Sequence, residues 1–215
     1  MKRFSDLEID RLRDTVRSKM SDFRFAHTLG VEKMAVRLGE IYCPNKLDVL
    51  RVAALLHDIT KELSVSEHTD IYARFGLEPS KEELSAPATL HSVTAALIIP
   101  EEYSEFADEE VIGAVKYHTV GRADMTLTEK LIFLADYIDG TRKYDDCIAL
   151  REEFFSSDAK KMTEGEKNIH LNRVILHAFD LTVADIIKNK RILSAETVSA
   201  RNSVIYELEK MKGEV

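Results

Sequence analysis

Glycine and proline are scarce in this sequence, eight and four among 215 residues. Both fall well under average usage, so long linkers and disordered tracts are not expected. Cysteine is scarcer still. Cys43 and Cys147 fit no metal-binding spacing and no disulfide framework, and they read as free thiols of a reducing cytoplasm. The opening stretch MKRFSDLEID lacks the apolar core of a secretory signal. No apolar run approaches the length of a membrane span. Positive charge is in deficit, with a formal net charge of −8. That balance argues against a nucleic-acid or anionic-membrane partner. It still permits a small anionic substrate held by local cations or by a metal.

What the chain does have is apolar content of 45%, enough for one sizeable core and, most simply, one domain. Its period is helical nearly throughout. Leu12, Val16 and Met20 mark a first helix, which forms an N-terminal extension over residues 1–21. A second helix is expected from about Asp22 to Tyr42, ended by CPNK, because proline cannot continue a helix. Further helices are expected over about Leu47–Leu63, Ser66–Phe75 and His91–Ile99, the last stopping at Pro100. EEVIGAVKYHT and LTEKLIFLADYIDG read as helices carrying His118 and Asp136 near their ends, and two amphipathic helices cover about Asn168–Lys188 and Ala195–Lys212. No convincing strand alternation appears. The expected fold class is all-α, a single helical bundle over residues 22–215 with the extension before it.

Within these apolar helices, polar groups intrude. The stretch LLHDITKE places His57 and Asp58 at the end of a run of Val, Ala and Leu. His27, His91, His118 and Asp136 sit in comparable settings. Burying such groups without partners costs a few kcal/mol each, in the range of about 2–7. Four histidines and two carboxylates brought together make an all-nitrogen-and-oxygen metal site, which supplies the missing partners. His27, His57, Asp58 and Asp136 are the core of that reading. His91 and His118 admit two roles, ligands of a second metal or hydrogen-bonding partners of phosphate. His68, His170 and His177 lie in charged or amphipathic surroundings and read as structural.

The order His27, His57–Asp58, Asp136, with the continuation through Lys61, resembles the HD-domain metal-dependent phosphohydrolases. The segments RFAHTLGVEKMAVRLGE, RVAALLHDITKEL, LHSVTAALI, YHTVGRADMTLTEKLIFLADYIDGTR and ETVSARN narrow the resemblance. They occur in the order seen in the YqeK-type symmetrical bis(5′-nucleosyl)-tetraphosphatases, over about Phe23 to Tyr206. Where that family reads isoleucine-glutamate-x-x-arginine, this chain has Ile138, Asp139 and Arg142. Ser194 and Ala195 replace an aromatic or histidine followed by proline.

The resemblance implies hydrolysis of diadenosine tetraphosphate to two ADP by metal-activated water. It implies His27, His57, Asp58 and Asp136 as ligands, and iron as the metal, with manganese, cobalt or zinc also suited to the donor set. One or two ions per chain are accommodated, Asp58 bridging if there are two. Asp58 and Lys61 carry the catalytic assignment. Arg24, Lys61, Arg142 and Thr119 are expected to hold phosphates alongside His91 and His118, since arginine grips phosphate oxygens in pairs and lysine as a point charge. By the same resemblance, Ile192, Leu193, Ser194, Ala195, Glu196 and Thr197 close over the nucleotide. The implied partners are a nucleotide substrate or ADP product, without nucleic acid or membrane, and a homodimer is left open. Two other readings compete. A cyclic-dinucleotide phosphodiesterase would carry a glycine-tyrosine-proline signature, which this chain lacks; a nucleotide sensor would bind without turnover.

Overall fold

A computed structural model of the chain describes residues 3–213, with helix side chains to residue 211. Met1, Lys2, Glu214 and Val215, which fall in the expected terminal segments, lie outside the described residues. Among the described residues there are helices and no strands. In chain order they are α1 (Asp6–Arg17), α2 (Asp22–Tyr42), α3 (Leu47–Leu56), α4 (Val65–Arg74), α5 (Lys81–Ser85), α6 (Leu90–Glu102), α7 (Glu109–Tyr117), α8 (Leu127–Ile138), α9 (Asp145–Phe155), α10 (Glu164–Lys188) and α11 (Ala195–Gly213). The all-α expectation holds.

Helix starts follow local side-chain chemistry. Ser5, Ser64, Ser80, Thr126 and Thr163 each cap a helix and pair with a glutamate three residues on, satisfying two otherwise orphaned amides. The Thr163–Glu166 box starts α10 at Glu164, ahead of the expected Asn168. At the centre of the bundle lies α3, whose Leu50, Val52, Ala53, Ala54, Leu55 and Leu56 are fully buried. Apart from Asp48 and Arg51, α3 is apolar around its circumference, and such a helix must be covered on most sides. α1, α2, α7 and α8 do this. α1 contributes Ile9, Leu12 and Val16 to the same core. α10 and α11 pack on each other at the far side.

Three sequence expectations fail in instructive ways. The apolar period carries α3 to Leu63, whereas the helix stops at Leu56. His57 turns its Nδ1–H onto the Ala54 carbonyl at 2.6 Å, an acceptor for which a continuing helix would need the Asp58 amide. The chain then descends through tight turns, with Ile59, Lys61 and Leu63 amides bonded three residues back. Lys61 therefore does not share a helical face with His57. α6 runs past Pro100 to Glu102, because a proline this close to the helix end removes few ladder bonds. α5 and α9 lie in stretches with no expected helix.

Candidate metal centre

Six side chains from five elements converge. His27 comes from the second turn of α2, and His57 and Asp58 from the break after α3. His91 stands in the first turn of α6, His118 directly after α7, and Asp136 in the last turn of α8. All four imidazoles and Asp58 are buried.

Three of the rings are oriented the same way. The Nδ1–H groups of His57, His91 and His118 donate to the carbonyls of Ala54, Ala88 and Val115 at 2.6, 2.9 and 2.7 Å. A carbonyl only accepts, so the proton sits on Nδ1 and the Nε2 lone pair points inward. Those lone pairs crowd. His91 Nε2 and His118 Nε2 are 3.0 Å apart, a repulsive approach that a cation relieves. His57 Nε2 is buried with no hydrogen-bond partner, and His27 Nε2, 2.9 Å from Asp136 Oδ1, is not aligned for a hydrogen bond with it.

Asp58 faces both halves of the cluster. Its Oδ2 lies 3.4 Å from His57 Nε2 and 3.7 Å from His27 Nε2, while its Oδ1 lies 3.1 Å from His91 Nε2 and 3.8 Å from His118 Nε2. Two donor triplets within metal-binding reach result, His27–His57–Asp58 and Asp58–His91–His118, with Asp58 common to both. Asp136 adjoins the first triplet, its Oδ1 3.9 Å from His57 Nε2.

The protonation states suit a cation. Burial pushes Asp58 up, but the neighbouring His57 and His91 more than reverse this and hold its carboxyl well below the usual range. Burial also pushes Asp136 up, and Arg142 and His27 overcome it in the same direction. Burial lowers His91 and His118, which keeps them neutral. His27 differs: burial pushes it down, yet Asp136 and Asp139 at its two nitrogens raise it to about 9. The donor set is nitrogen and oxygen only, so the residues present fit a divalent ion of the Mn, Fe, Co or Zn type.

Cations ring the centre. Arg24, one turn before His27 on α2, pairs its Nη1 with Asp58 Oδ2 at 2.6 Å. Lys61 Nζ lies 3.3 Å from His91 Nε2, the ring nitrogen that carries the lone pair, and donates to Ala88 O at 3.4 Å, despite leaving the expected helix. Arg142 binds Asp136 twice, Nη2 to Oδ1 at 2.5 Å and Nε to the main-chain carbonyl at 2.6 Å. Thr119 Oγ1 sits 3.2 and 3.1 Å from His91 and His118 Nε2.

The 192–197 segment divides. Thr197 is buried and donates to Val120 O at 3.2 Å, and the Ala195 amide donates to Glu82 at 2.9 Å. Ser194 and Glu196 border a cavity of about 220 Å³, together with Thr89, Ser92, Tyr117 and Val120, neighbours in sequence of His91, His118 and Thr119. Ile192 is exposed, and Leu193 is half-buried outside the lining of this cavity.

The other three histidines stay outside the centre. His68 is buried but bonds Thr94 Oγ1 at 2.8 Å; His170 bonds the Phe154 carbonyl; His177 pairs with Glu153 on the surface. Asp139 and Thr141, which contact His27 Nδ1, escape the sequence reading as site residues. The signal for them is the second acid in DYIDGT, three residues after Asp136, beside a glycine.

A buried histidine–aspartate centre inside an all-helical bundle defines the class of metal-dependent HD hydrolases. The HD domain matches residues 24–141, a span that holds all six converging side chains, and the chain belongs to the HD-domain family. Among its relatives, the symmetrical bis(5′-nucleosyl)-tetraphosphatase of Staphylococcus aureus is 30% identical over 207 residues, covering 96% of this chain and 99% of that protein. The protein of the same name from Bacillus subtilis is 26% identical, covering 88% and 94%. Among solved structures, an HD superfamily hydrolase of Clostridium acetobutylicum, described as involved in NAD metabolism, matches with a TM-score of 0.78 at 30% identity. That match covers 92% of this chain and 97% of the other.

Proposed function

We propose that this chain hydrolyses diadenosine tetraphosphate and related dinucleoside tetraphosphates symmetrically, releasing two nucleoside diphosphates. The observation that carries the metal half of this reading is the pair of donor triplets sharing Asp58. The substrate half is supported by the likeness to symmetrical tetraphosphatases over nearly the whole chain.

His27, His57, Asp58 and Asp136 would hold one ion, and Asp58, His91 and His118 a second. Such an ion lowers the pKa of bound water and offsets charge on the phosphoryl oxygens. Iron is our preferred identity, on the strength of the nitrogen-rich donor set and the family resemblance. The two buried free thiols agree with a reducing, cytoplasmic setting.

The remaining work falls to the chain's own groups. The substrate is a string of phosphates, and the protein's tasks are to position it and to match its charge. Arg142 uses Nε and Nη2 on Asp136, while its Nη1 makes no hydrogen bond among the described residues, so it can hold Asp136 and a phosphate oxygen together. Burial pushes the Lys61 ammonium down despite the Asp58 charge; it stands beside His91 as a compact cation for the departing diphosphate. Thr119 offers its hydroxyl at the second triplet. The cavity beside Tyr117, Ser194 and Glu196 is the place for one nucleoside. A single nucleoside pocket leaves the far base loosely read, so a different base there should be tolerated.

Chromatography of early products from diadenosine tetraphosphate tests the assignment. Two ADP are expected. ATP plus AMP would falsify symmetrical cleavage.

A further inference from the structure

Three of the four converging histidines take a main-chain carbonyl for Nδ1, and they can do so because of where they stand. His57 and His118 directly follow helices whose last carbonyls have no helical partner, and His91 opens α6 after the short turn Pro87–Thr89. His27 has no such option. It lies inside α2, where carbonyls one turn back are taken by the helix ladder. A side chain from elsewhere must occupy its Nδ1.

We infer that Asp139 is the positioning residue for His27: its carboxylate, together with the Thr141 hydroxyl that it holds, faces Nδ1 and aims Nε2 into the metal centre. Asp139 is fully buried, and its Oδ2, which has no aligned hydrogen-bond donor, lies 3.3 Å from His27 Nδ1 and 3.6 Å from Arg142 Nε. The carboxylate is itself held. Its Oδ1 accepts from the Thr141 amide at 2.7 Å and from the Thr141 hydroxyl, whose oxygen lies 3.3 Å from the same Nδ1. Room for this arrangement comes from α2 itself. Gly30 stands one turn beyond His27, and a Cβ there would fall 2.5 Å from Asp139 Oδ1 and 2.8 Å from Thr141 Cγ2. Two independent features, a buried acid with a free oxygen and a glycine that lets it approach, thus point to the same nitrogen. A carboxylate behind a metal-bound imidazole fixes the ring and raises its basicity, and losing it typically costs about 10–100-fold in metal affinity.

The inference rests on the metal reading and is tested on metal-free protein without reference to turnover. Mn2+ is titrated into the wild-type chain and into Asp139→Ala, Asp139→Asn and Gly30→Ala, with free ion followed by electron paramagnetic resonance. Asp139→Ala should bind about 10–100-fold more weakly. Asp139→Asn keeps an oxygen acceptor and should recover most of that loss, while Gly30→Ala, which leaves the acid in place but displaces it, should weaken binding. In the Zn2+-loaded chain the imidazole nitrogen shifts of His27 should report Nδ1–H in the wild type and change in Asp139→Ala, with His57 and His118 unmoved. If Asp139→Ala fails to fold, Asp139→Asn and Gly30→Ala decide through the same shifts. Wild-type affinity in Asp139→Ala, or unmoved His27 shifts in every variant that folds, overturns the inference alone. A wild-type chain that takes up no Mn2+ overturns the metal reading itself.

Discussion

Asp58 is the residue on which both halves of the centre depend, because each of its oxygens faces a different histidine pair. Asp58→Ala should remove metal from both triplets and reduce activity far more than it reduces folding stability. His68→Ala supplies the contrast. That ring is buried and bonds Thr94, whose hydroxyl lies 3.0 Å from that of Thr60, so its loss should cost about 1–3 kcal/mol in a denaturant melt. Metal content by elemental analysis should stay at the wild-type value. Equal metal loss in the two variants would mean that the centre is drawn around the wrong histidine. Arg142→Ala tests a third kind of role. Loss of a charge-assisted phosphate contact is worth about 1.5–3 kcal/mol, or roughly tenfold to a hundredfold in kcat/KM. Because Arg142 also clamps Asp136, a moderate fall in metal affinity should accompany it, and unchanged kinetics would make the arginine an ordinary surface charge.

At the scale of elements, the polar residues are legible in the sequence and the backbone around them is not. Apolar periodicity locates α2, α7 and α8, and with them His27, His118 and Asp136, since a lone imidazole on an apolar face must point inward. The same periodicity overruns at α3. Val52 to Leu56 continues into HDITK, and the helix stops where the His57 ring takes the Ala54 carbonyl, a side-chain contact that pattern counting does not register. α9 is hidden by its short apolar set, Cys147, Leu150 and Phe154, among acids. Asp139 is hidden for a different reason: its partner His27 is brought to it by tertiary packing alone. One element boundary is plain. Gly121 ends the turn after α7 at φ +70°, and a Cβ there would meet Phe179 Cζ at 2.7 Å and Ala200 Cβ at 2.9 Å. Gly121→Ala combines a left-handed backbone with overpacking and should cost about 1–3 kcal/mol, read from the denaturant midpoint. A shift near zero would show that α10 and α11 give way there more easily than their packing implies.

Across the whole molecule, an acidic chain holds its N-terminal segment with a few well-placed cations. Glu110 at the start of α7 receives Lys46 Nζ at 2.7 Å, Arg3 Nη2 at 2.8 Å and the Thr128 hydroxyl at 2.9 Å. Burial pushes Glu110 up, yet these donors outweigh it and bring it down to about 2 from 4.5. A lowered folded pKa contributes stability above the unfolded value, and that contribution is lost as pH falls from about 4.5 towards 2. Thermal melts of Glu110→Gln should therefore lose less stability than the wild type over that acid window, and parallel curves would remove Glu110 from the account. The net charge of −8 makes the local cations at Arg24, Lys61 and Arg142 more telling, because a polyphosphate approaching this chain is repelled everywhere else on average. The most direct test of the central claim is a titration of metal-free chain with Fe2+ or Mn2+, following diadenosine tetraphosphate hydrolysis against metal bound per chain. Activity should be absent without metal and should rise with occupancy of the His27–His57–Asp58 and Asp58–His91–His118 groups; full activity in rigorously metal-free protein would contradict the account.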